Sequence, residues 1–231
     1  MSMPIVDRTN PIWALTFCRD HFGLTKEQMV QIGTDEGLWK LQYLWEREHN
    51  GLYESPLYLL RQEWYHMVEG EREAFPEFWE ALDERSVVLD FGCGTAEYAR
   101  LPWIDHGRDI ILVDISEVVI GYLRAKLPSY GEAKLCCPES FWSNHKVESI
   151  DALLCLDVLE HLVDPIGMTE TLCRYLKPGG NALFAFSEKW PHPGHLIESI
   201  HRSDEWIEWM KAHMEYVGRH EKGPLWFRKP R

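Results

Sequence analysis

Val87-Val88-Leu89-Asp90-Phe91-Gly92-Cys93-Gly94-Thr95 is the stretch on which the fold turns. Val87, Val88 and Leu89 are apolar and β-favouring, so they read as a buried parallel strand. Asp90 stands where that strand ends. Gly92 and Gly94 permit a tight turn and a close backbone approach by a ligand. From Ala96 a helix can begin, and its first N–H groups are open to a polar ligand. Strand, Gly-x-Gly turn and helix together predict a nucleotide-like cofactor bound at the turn of a doubly wound sheet. The dinucleotide fingerprint asks for a third glycine three positions after the second, and this chain has Glu97 there. The fingerprint asks for no acid before the turn, yet Asp90 is present. That acid suits a ligand carrying a cationic ammonium group better than a pyrophosphate.

Outward from this motif, strands and helices alternate from residue 86 onward, the pattern of a parallel sheet with right-handed crossovers. A short helix is expected near 96–101 and a second strand at 109–114. Ser116 is placed to cap a helix running to about 126. Third, fourth and fifth strands are expected at 133–137, 150–156 and 181–187. Helices are expected at 165–176 and 203–214, with a turn at Pro178-Gly179-Gly180. Residues 216–227 read as two short strands around Gly223-Pro224 that close the sheet with an antiparallel edge. Residues 1–85 differ: their apolar spacing is helical throughout, as in Leu38, Leu41, Leu44 and Trp45, or Leu59, Leu60, Trp64 and Met67. Two domains are therefore expected, a helical region 1–85 and an α/β domain 86–231.

Composition narrows the function. At 231 residues the chain has room for one full domain and a small appendage. A net charge of −13, with no basic stripe, excludes a nucleic-acid backbone as the expected partner. No apolar run reaches transmembrane length, and the first residues lack a basic region followed by an apolar core. The six cysteines are scattered without a C-x-x-C pair, so reduced thiols in a cytoplasmic protein are expected.

Leu-Asp-Phe-Gly-Cys-Gly-Thr resembles the first motif of class I S-adenosylmethionine-dependent methyltransferases. Ile-Leu-Val-Asp-Ile-Ser resembles their second motif, and Ala-Leu-Leu-Cys-Leu-Asp-Val-Leu-Glu-His-Leu their fourth. Leu-Lys-Pro-Gly-Gly resembles the turn before their fifth strand. The resemblance spans roughly residues 86–190. It implies a seven-stranded, mostly parallel Rossmann-like sheet and S-adenosylmethionine as cofactor. Asp90, Gly92 and Gly94 would then hold the methionine part, with Cys93 filling space beside it. Asp114 would hold the ribose and Ile115 would touch the adenine. Asp114 also follows Gly94 by 20 residues, the place where an acid takes ribose hydroxyls in such sheets. Many members have an Asp soon after the third strand. Here the stretch is Cys137-Pro138-Glu139-Ser140-Phe141, so Glu139 would replace the acid, Ser140 would adjoin it and Phe141 would stack on the base. Asp157 and Val158 would line the cofactor near the reacting methyl.

For chemistry the histidines stand out, because a hydroxyl acceptor needs a base with pKa near neutrality. His161 follows the fourth strand, and His192 and His195 follow the fifth, so His161 and His195 are the catalytic candidates. Asp157-x-x-Glu160-His161 with a later histidine also resembles a divalent-metal set of some methyltransferases. Its first residue is Asp where that set has Glu, and no metal is expected. The helical region 1–85 would act as a substrate lid, with Trp39, Tyr43, Trp64 and Tyr65 as candidate pocket walls. The expected function is methyl transfer to an oxygen or nitrogen of a small-molecule acceptor, with a homodimer left open. Two rivals stand beside it. One is a catalytically silent, methyltransferase-like partner subunit. The other is an NAD(P)-dependent oxidoreductase, for which Tyr122-x-x-x-Lys126 lies too early in the fold.

Overall fold

The computed structural model describes residues 75–96, 109–127, 134–186, 196–220 and 223–231. The chain divides into two compact units, Met1–Arg72 with Ser116–Gly131, and Glu73–Ile115 with Glu132–Arg231. The helix after the second strand groups with the first unit. The expected lid residues Trp39, Tyr43, Trp64 and Tyr65 lie outside the described residues, as does the expected helix beyond Ala96.

In the second unit, helix α1 (Pro76–Glu80) precedes a seven-stranded sheet. The strands are β1 (Val87–Phe91), β2 (Asp109–Val113), β3 (Leu135–Cys136), β4 (Ile150–Leu156), β5 (Leu176–Ala185), β6 (Glu215–Arg219) and β7 (Leu225–Arg228). Their order is β3-β2-β1-β4-β5-β7-β6. The first five are parallel, and β7 runs antiparallel to both β5 and β6. Helix α2 (Glu117–Lys126) belongs to the other unit, and Ser116 Oγ caps it by accepting from the Val119 amide at 3.2 Å. In the second unit follow α3 (Pro138–Asn144), α4 (Pro165–Tyr175), α5 (Ile197–Ile200) and α6 (Ser203–His213). A single 3-10 turn, Leu159–His161, sits between β4 and α4.

β1 and β4 are central and nearly continuous in apolar side chains, as strands buried on both faces must be. Leu89, Leu153, Phe184, Trp206 and Phe227 share one core. Each such side chain contributes on the order of 1.5–3 kcal/mol by leaving water. Trp206 is fully buried and keeps its indole N–H satisfied by donating to Thr169 Oγ1 at 2.9 Å.

Three local readings change. Pro178, Gly179 and Gly180 do not precede β5 but bulge within it. The pairing jumps from Ile150 with Leu176 to Ala152 with Asn181. Gly179 is left-handed at φ 82°, and its amide donates to Lys229 O at 2.9 Å, tying the bulge to the chain end. The third strand shrinks to two residues. The segment after it forms α3, which starts at Pro138, a residue whose missing N–H costs nothing in a first helical turn. Ala96 is left-handed at φ 61°, so it is not itself a residue of a right-handed helix, and the residues after it lie outside the described ones.

Candidate cofactor site

The chain leaves β1 and runs to one side, through β2 and β3, then returns to lay β4 on the other side of β1. Ligands of such sheets bind outside the carboxyl ends of the strands at this reversal. Asp90, Gly92, Gly94, Asp114, Asp157 and Val158 all lie at or just beyond those ends.

The turn after β1 is held by β2. The amides of Gly92 and Cys93 both donate to Val113 O, at 2.7 and 3.0 Å. One residue on, the Gly94 amide donates to Asp114 Oδ2 at 3.0 Å. Gly92 and Gly94 are left-handed at φ 73° and 50°, a conformation that costs glycine nothing. Ala96 and Asp157, also left-handed, must accept strain of about 1–3 kcal/mol each. Such strain gathers where a site demands a backbone shape that helices and strands do not offer.

The β4 side closes directly on this turn. A Cβ added at Gly92 would fall 2.3 Å from Val158 Cγ2, so Val158 occupies the place of the missing side chain. Asp90 and Asp114 are buried carboxylates, at 3% and 9% exposure. Burial, with the charges of Asp114 and then Asp90, pushes the Cys93 thiol well above its usual range. A thiol pushed up in this way is held in its protonated form, which is the weaker nucleophile. Burial, with Glu160 and Asp90, does the same to Cys155 at the end of β4.

Ile115 breaks the pattern of burial. It directly follows buried Asp114, is apolar, and is 73% exposed. Glu139 lies in the first turn of α3, and Ser140 accepts from Asn144 Nδ2 through both its carbonyl and its hydroxyl. Phe141 turns the other way. It is fully buried, stacked on His145 at 4.6 Å and packed on Trp142 and Tyr175. Its ring belongs to the core, so it has no face to offer an adenine, and the expected stacking role is corrected. The reason is helical: α3 turns Phe141 inward, and the sequence reading assigns no helix to that segment.

His161 ends the 3-10 turn after β4, half-buried, with its amide donating to Val158 O at 3.0 Å. His192 and His195 lie outside the described residues. Among the described residues no three His, Cys, Asp or Glu side chains converge as a metal would require. Two features escaped the sequence reading. One is the Val113 carbonyl that gathers two turn amides. The other is fully buried Glu160, which sequence alone presents as one more acid on a helical turn.

These residues fit S-adenosylmethionine. Two buried carboxylates favour a cation nearby, Asp114 is oriented by a backbone amide, and an exposed apolar side chain stands beside it. A family model described as a methyltransferase domain matches residues 61–221. An uncharacterized methyltransferase-like protein of Schizosaccharomyces pombe is 25% identical over 145 residues, 61% of this chain and 48% of that protein. A ubiquinone biosynthesis O-methyltransferase of Thiobacillus denitrificans is 31% identical over 101 residues, 42% of this chain and 43% of that enzyme. The chain thus spans half or less of the length of these curated relatives. The crystal structure of an S-adenosylmethionine-dependent methyltransferase from Methanosarcina mazei superposes with a TM-score of 0.54 at 15% identity. That match covers 69% of this chain and 99% of that one, and it shows the shared fold. No helix among the described residues is long and apolar enough to cross a membrane. The strand order, the glycine turn and the family match agree: the chain belongs to the methyltransferase domain family and has its class I fold, with S-adenosylmethionine as the cofactor of that family.

Proposed function

We propose that this chain transfers a methyl group from S-adenosylmethionine to an oxygen or nitrogen of a small-molecule acceptor. The observation that carries the reading is the Gly94 amide bound to Asp114 Oδ2, which locks the ribose-binding acid to the glycine turn. The S-adenosylmethionine sulfonium supplies a methyl group that is already activated. The protein's work is then alignment and exclusion of water, and orientation of this kind is worth on the order of 7–11 kcal/mol in favourable models. Asp114 takes the ribose hydroxyls and Ile115 covers the adenine. Asp90 and the left-handed turn hold the methionine end, with Glu139 and Ser140 toward the base. Asp157 and Val158 line the reacting side. His161 and His195 serve as bases where the acceptor must lose a proton. The relative named for ubiquinone biosynthesis supports an oxygen acceptor. The acidic balance of the chain, −13, disfavours an anionic acceptor.

Calorimetric titration with S-adenosylmethionine, its demethylated product and NAD, in separate runs, tests the reading. Micromolar binding of the first two, lost in Asp114→Ala, is the expected result. Mass spectrometry of catechol and amine acceptors then identifies the methylated atom. Binding of NAD alone overturns the reading. Binding of S-adenosylmethionine without any methylated acceptor moves it to the partner-subunit role.

A further inference from the structure

The 3-10 turn that follows β4 is gripped from two sides. On one side Val158 fills the space that a side chain on Gly92 would need. On the other, two of its carbonyls are taken by a single distant segment. The Leu196 amide donates to Glu160 O at 2.8 Å, and the Ser199 hydroxyl donates to Leu162 O. The turn itself is closed by His161 N–H to Val158 O and Leu162 N–H to Leu159 O, at 3.0 and 3.2 Å. Residues 158–162 therefore form one short rigid link between the glycine turn and the segment around α5.

Ser199 is the informative member. It is fully buried on a four-residue helix, at a position where an apolar residue would pack without a desolvation cost. A buried hydroxyl is tolerated when it is hydrogen-bonded, and here its acceptor is a main-chain carbonyl in the site-forming turn. The neighbouring ion pair, Arg202 to Asp164 at 3.1 Å, joins the same two segments farther out, where water screens it.

We propose that Ser199 is a positioning residue for the cofactor site. Through Leu162 O it fixes the 158–162 turn, and that turn holds Val158 against Gly92 and sets left-handed Asp157 at the mouth of the site. The proposal rests on the cofactor reading above, and it adds a residue from beyond β5 in the chain to the machinery of that site.

Two measurements on the full chain test it. Amide hydrogen exchange is followed at residues 157–162, and S-adenosylhomocysteine is titrated calorimetrically. The variants are Ser199→Ala, Ser199→Cys (which keeps a weaker donor on a somewhat larger side chain) and Arg202→Ala. In Ser199→Ala, exchange at 157–162 should quicken selectively, and the Kd for S-adenosylhomocysteine should rise about 3- to 10-fold. Ser199→Cys should fall between it and the wild type, and it serves alone if Ser199→Ala does not fold. Arg202→Ala should leave both readouts at wild-type values. A role confined to stability would lower the melting temperature and quicken exchange evenly, with Kd unmoved, and that result overturns the proposal. If the wild type does not bind S-adenosylhomocysteine but exchange at 157–162 still responds to Ser199, the cofactor reading fails and the link through Leu162 stands. If the wild type binds and exchange at 157–162 is indifferent to Ser199, the positioning role fails.

Discussion

Gly94 and Asp114 are 20 residues apart in sequence and joined by one hydrogen bond, Gly94 N–H to Asp114 Oδ2 at 3.0 Å. The bond crosses from the turn after β1 to the end of β2. A buried carboxylate thereby gains a fixed orientation, and a turn amide gains a charged acceptor.

Removing that acceptor should cost both stability and cofactor. Asp114→Ala leaves the Gly94 amide without its carboxylate, a loss of about 1–3 kcal/mol for a buried donor. Urea unfolding should report that loss. Titration with S-adenosylmethionine should show no micromolar binding. Asp114→Asn keeps an acceptor oxygen, so it should recover stability more fully than affinity.

Gly92 has no room for a side chain. Its φ of 73° and the 2.3 Å that would separate an added Cβ from Val158 Cγ2 both oppose substitution. Gly92→Ala should destabilise the fold by about 1–3 kcal/mol through strain and overpacking. Adding Val158→Ala should relieve the collision and leave the backbone strain. A double-mutant cycle in urea should therefore show favourable coupling of about 0.5–3 kcal/mol. Independent, additive effects would mean that Val158 does not close the turn.

Ile115 should matter to ligand and not to fold. It is 73% exposed, so Ile115→Ser should leave the unfolding free energy within about 0.5 kcal/mol of wild type. Loss of apolar contact with an adenine should weaken S-adenosylmethionine binding by about 3- to 30-fold. Unchanged affinity would remove Ile115 from the site.

The buried thiols should make stability fall in alkali. Burial pushes Cys93 and Cys155 well up, and pushes Cys173 to about 12 from a usual 9.0. A raised folded pKa stabilises fully below the unfolded value. That stability drains as pH climbs from there through the folded value. The wild type should thus lose stability above about pH 9 more steeply than Cys155→Ala, as urea midpoints across the range will show. Iodoacetamide should label exposed Cys137 before Cys93, Cys155 or Cys173 in the folded chain.

Much of this was legible in the chain itself. The apolar run at 150–156 coincides with β4, and the Ser116 and Pro165 signals mark helix starts, because capping and strand burial are local physics. A glycine turn after the first strand and an acid at the end of the second are readable along the chain, and the structure joins them through Gly94 and Asp114. Other features depend on which elements become neighbours. Phe141 reads as an exposed stacking ring until α3 forms and turns it into the core beside Tyr175. Pro178-Gly179-Gly180 reads as a turn until β4 and the chain end pair around it and make it a bulge. Ser199 is an ordinary helix residue until its hydroxyl meets Leu162 O, 37 residues upstream. Periodicity and motif spacing encode what a segment does by itself and to its nearest partner. The facing of a ring, the shape of a bulge and the hold on a distant turn come from contacts between segments far apart in sequence, and only the tertiary structure decides those.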